Sequence, residues 1–334
     1  MSGDECDNLE SLLQRALEVR LELPDGEHLG ALRLFNGFYE GCPQLAADLY
    51  ARTLVLFGYA DDPDDSQRLL AEAQAFYLGR LPWLECVIHK IRSAGSAQRR
   101  GVIAFGGSPA RQIVEHGVRY ALDLQMNQDA SFYLDTRGLR GWLVEQARGW
   151  WVLNTFAYTG SLGVAALAGG AAQVIQVDRS GRFLDLARRS VQLNQLDPGR
   201  MSLRAADFFS QAAHLKRQGD LFDCVILDPP FFSATDKGRV DLVSQSVRLV
   251  NKVRPLVRDG GRLAAINNAL FLSGADYLAA LERLCADGYL SIEALIPVPA
   301  DVTGFPGTVV ATPPRHPAPF NHPTKIVILR VKRK

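Results

Sequence analysis

The sequence predicts a two-part α/β chain: a small α+β domain followed by a larger, mostly parallel sheet with helices on both faces. Three observations lead there. After Arg137, short apolar runs recur at 151–153, 173–177, 201–203, 222–227 and 262–266, alternating with helical stretches. Between the second and third of these, Phe183, Leu184, Ala187 and Val191 share one helix face. Such alternation builds βαβ units, and hence a parallel sheet. A further β run, 325–331, lies close to the end of the sequence.

The composition sets bounds on the rest. Hydrophobic residues make up 47% of the 334 and charged residues 22%, a balance that excludes disorder as the dominant state. The stretch from Met1 to Arg20 has no basic segment before an apolar run, so no secretory leader is expected. The most apolar stretch, 152–177, is broken by Asn154, Thr159 and several glycines, so no membrane span is expected. Cys6, Cys42, Cys86, Cys224 and Cys285 form no Cys-x-x-Cys pair and are odd in number. They read as free thiols of a cytoplasmic protein, with no metal site. The net charge of +1 announces no nucleic-acid partner. Lys90, Arg92, Arg99 and Arg100, and the final Lys332-Arg333-Lys334, permit RNA binding without requiring it.

In chain order, residues 1–28 read as an amphipathic helical extension (Leu9, Leu12, Leu13, Leu17) that ends near Pro24-Asp25-Gly26. Residues 29–130 form the small α+β domain. It holds a β run at 54–59, a turn at Asp61-Asp62-Pro63-Asp64-Asp65, a helix around 69–78 and a strand at 101–105. Residues 120–124 and 131–134, joined by polar 125–129, read as a hairpin. Residues 131–334 form the larger domain.

Four strand ends of that domain bear candidate site residues. The first leads into Asn154-Thr155-Phe156-Ala157-Tyr158-Thr159-Gly160-Ser161-Leu162-Gly163. Glycine there lets a ligand approach the backbone, and the helix N-terminus that follows favours a carboxylate; a tight strand-to-helix turn without a ligand has the same pattern. Asp178 ends the second strand, where a carboxylate accepts from ribose hydroxyls or caps the helix after Arg179-Ser180. Asp207 ends the third, placed for an adenine amino group or, again, for a cap. Asp228-Pro229-Pro230-Phe231-Phe232 ends the fourth; its prolines stop the ladder and fix rigid carbonyls at the ligand-binding edge. A dinucleotide site requires G-x-G-x-x-G, which 156–163 does not supply, so the four together point to S-adenosylmethionine.

These motifs resemble the bacterial 23S ribosomal RNA methyltransferases of the cytosine-C5 and guanine-N7 type, a class I S-adenosylmethionine-dependent family. The matching residues are Phe132-Tyr133-Leu134-Asp135-Thr136-Arg137, the 154–163 loop, Val177-Asp178-Arg179-Ser180, Asn194, Asp207, and Asp228-Pro229-Pro230 with Phe232. Arg33-Leu34-Phe35-Asn36-Gly37 and Asp48-Leu49-Tyr50 look like that family's small preceding domain. The resemblance implies a Rossmann-like class I methyltransferase domain, a mostly parallel seven-stranded sheet with the last strand antiparallel. It further implies that the Tyr158–Gly163 loop, with Tyr158, Thr159 and Gly160, holds the cofactor's methionine end, Asp178 the ribose and Asp207 the adenine, with Phe156, Arg179 and Asp228 also binding the cofactor. Asp228, Pro229, Pro230 and Phe231 would face the methyl group and the base. Asp135 and Arg137 would close over the cofactor from the hairpin, although Arg137 also suits a structural ion pair.

Three departures shape the expected chemistry. No segment has the length of the family's N-terminal PUA domain. The segment Ala265-Ile266-Asn267-Asn268-Ala269 lacks the cysteine that cytosine-C5 members use, and Phe231 stands where the family varies. Carbon-5 of cytosine requires thiolate attack at C6, and Cys224 sits inside a strand among core residues. Methylation of a guanine nitrogen, N7 or exocyclic, in ribosomal RNA is therefore the leading expectation. Cytosine-C5 methylation, or a small-molecule or protein substrate, are the alternatives.

Overall fold

The computed structural model describes residues 8–21, 23, 26–235 and 238–333, with the backbone alone for those described within 232–245. The chain forms two compact units, residues 1–135 with 299–312, and residues 136–298 with 313–334. The expected boundary at 130/131 therefore falls five residues before the end of the first unit, and the return of 299–312 to that unit was not anticipated.

The first unit starts with α1 (Leu9–Glu18) and β1 (Ala31–Asn36), α2 (Gly37–Glu40), β2 (Leu45–Tyr50) and β3 (Thr53–Gly58). There follow α3 (Pro63–Arg80), β4 (Cys86–Ile91), α4 (Ser96–Arg100), β5 (Val102–Gly106), β6 (Gln112–Glu115) and β7 (Val118–Ala121). Strands β1 to β5 lie in sequence order in one sheet, antiparallel except where α3 crosses over between parallel β3 and β4. The helix expected over 1–28 covers Leu9–Glu18, and it is part of the core: Leu9, Leu13, Ala16 and Leu17 pack with Leu34, Leu54 and Leu70. Residues 61–65, read as a turn, instead start α3. The Asp62 side chain accepts from the Asp64 N–H, and Pro63 fills the first helical position, where its missing donor costs nothing.

The hairpin lies earlier than expected. It is β6–β7, closed by His116-Gly117, both with positive φ (50° and 74°), the backbone a two-residue hairpin turn requires. Residues 131–134 are not a strand. The basic stretch also divides. Lys90 is fully buried, its ammonium donating to the carbonyls of Arg100, Asn127 and Asp129, while Arg92 pairs with Asp129 at 2.9 Å; Arg99 and Arg100 are exposed.

A buried ion pair ties the returning segment to this unit. Arg20 and Glu40, both fully buried, meet at 2.9 Å. Arg20 also donates to the carbonyls of Ala16 and Asp301, and Glu40 accepts from the Asn36 N–H and the Thr308 hydroxyl. Asp301 in turn accepts from the Arg33 N–H at 2.9 Å, and the Asn36 side chain donates to the Val302 carbonyl.

The second unit contains α5 (Arg137–Gln146), β8 (Trp151–Thr155), α6 (Ser161–Ala168), β9 (Gln173–Asp178), α7 (Gly181–Leu193), β10 (Met201–Ala205), α8 (Phe208–Gln218) and β11 (Phe222–Leu227). It continues with β12 (Phe232–Thr235), β13 (Gly238–Asp241), α9 (Leu242–Val253), β14 (Val257–Asn267), α10 (Gly274–Cys285), β15 (Leu290–Ile296) and β16 (Lys325–Val331). Its seven-stranded sheet runs β10-β9-β8-β11-β14-β16-β15. Strands β8, β9, β10, β11 and β14 are parallel, and β16 inserts antiparallel between β14 and β15. This is the sheet the resemblance implies. Strand order reverses between β8 and β11, and ligands of such sheets bind outside the strands' C-terminal ends at that point. The core strands read as mainly apolar runs because both of their faces are covered.

Cys42 is disulfide-bonded, which corrects the reading of all five cysteines as free; Cys86, Cys224 and Cys285 are free, and Cys6 lies outside the described residues. Among the described residues, no helix is long and apolar enough to cross a membrane.

Glu40→Gln keeps the shape of the buried cluster but leaves the Arg20 guanidinium without its counter-charge. We expect the first unit to lose about 3–5 kcal/mol, read as an early shift in urea unfolding. Adding Arg20→Met should recover part of that loss.

Candidate functional site

The turn after β8 holds an unusual backbone. Phe156 (φ 55°), Tyr158 (51°) and Gly160 (79°) are all left-handed, a conformation that costs a non-glycine residue about 1–3 kcal/mol and persists only when its surroundings impose it. Here they do. The Asp178 carboxylate accepts the Tyr158 N–H on one oxygen and the Ser180 N–H on the other, each at 2.8 Å, and the Ala157 N–H donates to the Val177 carbonyl at 2.8 Å. The Phe156 ring packs on Phe208 at 4.4 Å, and the Tyr158 ring stands edge-on to Phe183 at 4.8 Å.

Gln176, fully buried in β9, lies beneath this turn and accepts from the Asn154 side chain at 2.9 Å. A Cβ at Gly160 would stand 2.5 Å from the Ala187 Cβ, and one at Gly163 2.5 Å from the Gln176 side chain. Gln176 and Asn154 were not singled out from sequence; a polar residue inside an otherwise apolar, buried strand was the available signal.

The expected site residues at the C-terminal edge of the sheet fall in four places. Tyr158, Thr159 and Gly160 form the turn before α6, whose N-cap, Gly160, supplies no side-chain cap, whereas Ser180, Asp207 and Ser273 cap α7, α8 and α10. The first-turn N–H groups of α6 can therefore receive a carboxylate. Asp178 is half-buried. Burial raises its pKa above the usual carboxylate value, and the Ser180, Tyr158 and Arg179 N–H groups oppose that rise. The carboxylate keeps acceptor capacity beyond these backbone donors for ribose hydroxyls. Arg179 is exposed. Asp207 realises its capping alternative, accepting the Ser210 N–H at 3.1 Å, and it sits one residue beyond Ala206, whose N–H donates to the Asp178 carbonyl.

Asp228 follows β11, whose Leu227 lies opposite Thr155 of β8, so it leaves the sheet beside the glycine turn. It is half-buried, Pro229 is buried, and Pro230 and Phe231 are exposed. The Phe232 side chain lies outside the described residues. Asp135 and Arg137 do not stand on a hairpin: Asp135 ends the first stretch of the first unit, and Arg137 opens α5 in the second.

An uncapped helix start, a glycine turn closed against side chains, and a carboxylate at the end of the second strand fit S-adenosylmethionine. Together with the reversed last strand they define a class I methyltransferase domain. The chain belongs to the S-adenosylmethionine-dependent methyltransferase family, whose model matches residues 89–298, and S-adenosylmethionine is its cofactor.

Among curated relatives, a protein of Aeromonas hydrophila named ribosomal RNA large subunit methyltransferase I is 34% identical over 230 residues, 66% of this chain and 56% of that protein. Its namesake from Yersinia pseudotuberculosis is 31% identical over 287 residues, 83% of this chain and 70% of that protein. The chain thus spans little more than half the length of the first and about seven-tenths of the second. A solved structure described as a methyltransferase in complex with SAH superposes with a TM-score of 0.84 at 22% identity, covering 99% of this chain and 83% of that one. One from Agrobacterium tumefaciens, described as a SAM-dependent methyltransferase, gives 0.60 at 17% identity over 87% of this chain and 88% of its own. These two likenesses establish the fold.

Asp178→Ala should weaken S-adenosylmethionine binding by about 1–3 kcal/mol, the cost of leaving polar groups unpaired. Calorimetry on the variant, with its thermal unfolding followed in parallel because two backbone donors also lose their acceptor, checks this. Unchanged affinity in a folded variant would remove Asp178 from the site.

Proposed function

We propose that the chain methylates a base of large-subunit ribosomal RNA, with a guanine nitrogen, N7 or exocyclic, as the acceptor. The observation behind this reading is the sequence Asp228-Pro229-Pro230-Phe231 at the end of β11, beside the glycine turn, in a chain 31–34% identical to proteins named as ribosomal RNA methyltransferases.

In this reading the first turn of α6, with Tyr158 to Gly160, holds the methionine end of the cofactor, Asp178 the ribose, and the remaining acceptor capacity of Asp207 the adenine. Bound S-adenosylmethionine supplies an electrophilic methyl group on a sulfonium. The protein's task is then alignment of the acceptor atom with that methyl. An attacking guanine N7 releases no proton. An exocyclic amine becomes cationic as it attacks, and the Asp228 carboxylate would stabilise that charge and accept the proton the amine then loses. Phe231, 46% exposed, offers an aromatic face to an unstacked base.

Covalent carbon methylation is disfavoured by the thiols. Cys224 is fully buried in β11, and burial pushes its thiol up to about 12, so it stays protonated. The segment 265–269 contains no cysteine. Cys224→Ala should therefore retain methyl transfer, and 5-fluorocytosine RNA should trap no cross-link; a cross-linked species on a denaturing gel would restore the cytosine-C5 reading.

Single-turnover methylation, with nucleoside mass spectrometry of the product, separates the two guanine acceptors. Asp228→Asn should lower the rate by orders of magnitude for an exocyclic amine and only mildly for N7, with S-adenosylmethionine affinity near wild type in both cases. A fully active enzyme that leaves RNA unmodified and methylates a protein or small molecule would overturn the assignment.

A further inference from the structure

A second aromatic surface stands at the same sheet edge, on the loop that leaves β14. Strands β11 and β14 are adjacent and parallel, with Leu227 opposite Ala265, so this loop and the 228–231 segment emerge side by side. The loop is firmly anchored. Asn267 is fully buried, and its Oδ1 accepts the Ala269 N–H at 2.9 Å. The buried Lys325 ammonium, opposite Asn267 in the β14–β16 register, donates to the Ala269 carbonyl at 2.9 Å and to that of Pro323. Yet the next residues point away from the core: Leu270 is 50% and Phe271 64% exposed, the latter the most exposed large hydrophobic side chain among the described residues. Between them and the anchor, the Asn268 Oδ1 is buried without a hydrogen-bond partner among the described residues.

An exposed guanidinium also lies by this surface. The segment Pro313-Pro314-Arg315-His316-Pro317 packs against the start of α10, where the Gly274 N–H donates to the His316 carbonyl at 3.0 Å. A Cβ on Gly274 would stand 1.7 Å from the Pro317 carbonyl oxygen, so backbone lies directly on backbone there. Arg315 and His316 are exposed beside it. The nearby acid, Asp276, is occupied by the Ser273 hydroxyl and N-cap contact. An exposed aromatic ring and a neighbouring guanidinium match what holds single-stranded nucleic acid: a face to stack on and a charge for phosphate.

We propose that the 268–271 loop and Arg315 form an RNA-binding shelf at the reaction edge, with Phe271 stacking on a base beside the target and Arg315 contacting a phosphate. This rests on the RNA reading above. The test compares wild type, Phe271→Ala, Phe271→Trp and Arg315→Ala, using filter binding and single-turnover methylation of a large-subunit ribosomal RNA transcript over a range of salt, with calorimetry of S-adenosylmethionine as a check on folding. Phe271→Ala should weaken RNA binding about tenfold, and Phe271→Trp should restore it. Arg315→Ala should weaken binding and lower the slope of log affinity against log salt by about one. Cofactor affinity should not change in any variant. Wild-type affinity in Phe271→Ala and an unchanged salt slope in Arg315→Ala, with the wild type still methylating the transcript, overturn the shelf alone. A wild type that methylates no RNA overturns the RNA reading, and the shelf with it.

Discussion

Asp178 accepts hydrogen bonds from the N–H groups of Tyr158 and Ser180, and the form of the sheet's working edge depends on those two bonds. One draws the turn after β8 toward the end of β9, and the other sets the start of α7. With both in place, Phe156 and Tyr158 are held in left-handed conformations that neither residue prefers. The backbone of the turn is thereby presented outward while Gln176 fills the space beneath it. The carboxylate pairs with two backbone donors in a half-buried setting, and its raised pKa reflects that burial. A group that both builds the turn and offers acceptors to a ligand is harder to replace than one doing either alone.

Much of the second unit was legible because parallel strands covered on both faces must be continuous apolar runs. The stretches at 173–177 and 222–227 coincide closely with β9 and β11, and 325–331 with the antiparallel β16. Strand β15 was missed, since Leu290–Ile296 alternates Ser291, Glu293 and apolar residues close behind a helix with a similar hydrophobic content. In the first unit, β1, β2 and β4 were left unassigned within a mixed pattern. The hairpin was misplaced because the long polar stretch 125–129 suggested a loop, whereas His116-Gly117 supplies the two positive φ angles a tight turn needs. Asp62-Pro63 was read as a turn though it bears both signs of a helix start.

The site was partly legible for a related reason. Strand-end carboxylates and a glycine turn announce themselves locally, so Asp178, Asp207, Asp228 and the 156–163 loop could be named from sequence. Their competing local duties could not be ranked until the hydrogen bonds were visible: Asp207 caps α8, and Asp178 braces two backbones. Gln176 and Lys325 escaped notice because each acts through groups distant in sequence. Lys325, for instance, reaches the carbonyl of Ala269 only because β16 lies beside β14.

The return of residues 299–312 to the first unit affects the order in which a newly made chain becomes complete. While the ribosome is still extending the chain, α1 and the five-stranded sheet can emerge early, but Arg20 and Glu40 then lack Asp301 and Thr308, two of the groups that satisfy them. The second unit waits as well, because β16 fills the place between β14 and β15 and is synthesised after both of them. Both units are therefore completed by nearly adjacent stretches of polypeptide, 299–312 and 325–331, so a nascent chain holds two unfinished cores until those stretches have been made. Slowing elongation after the first domain, a device that helps proteins whose domains finish one at a time, would only lengthen that exposure here.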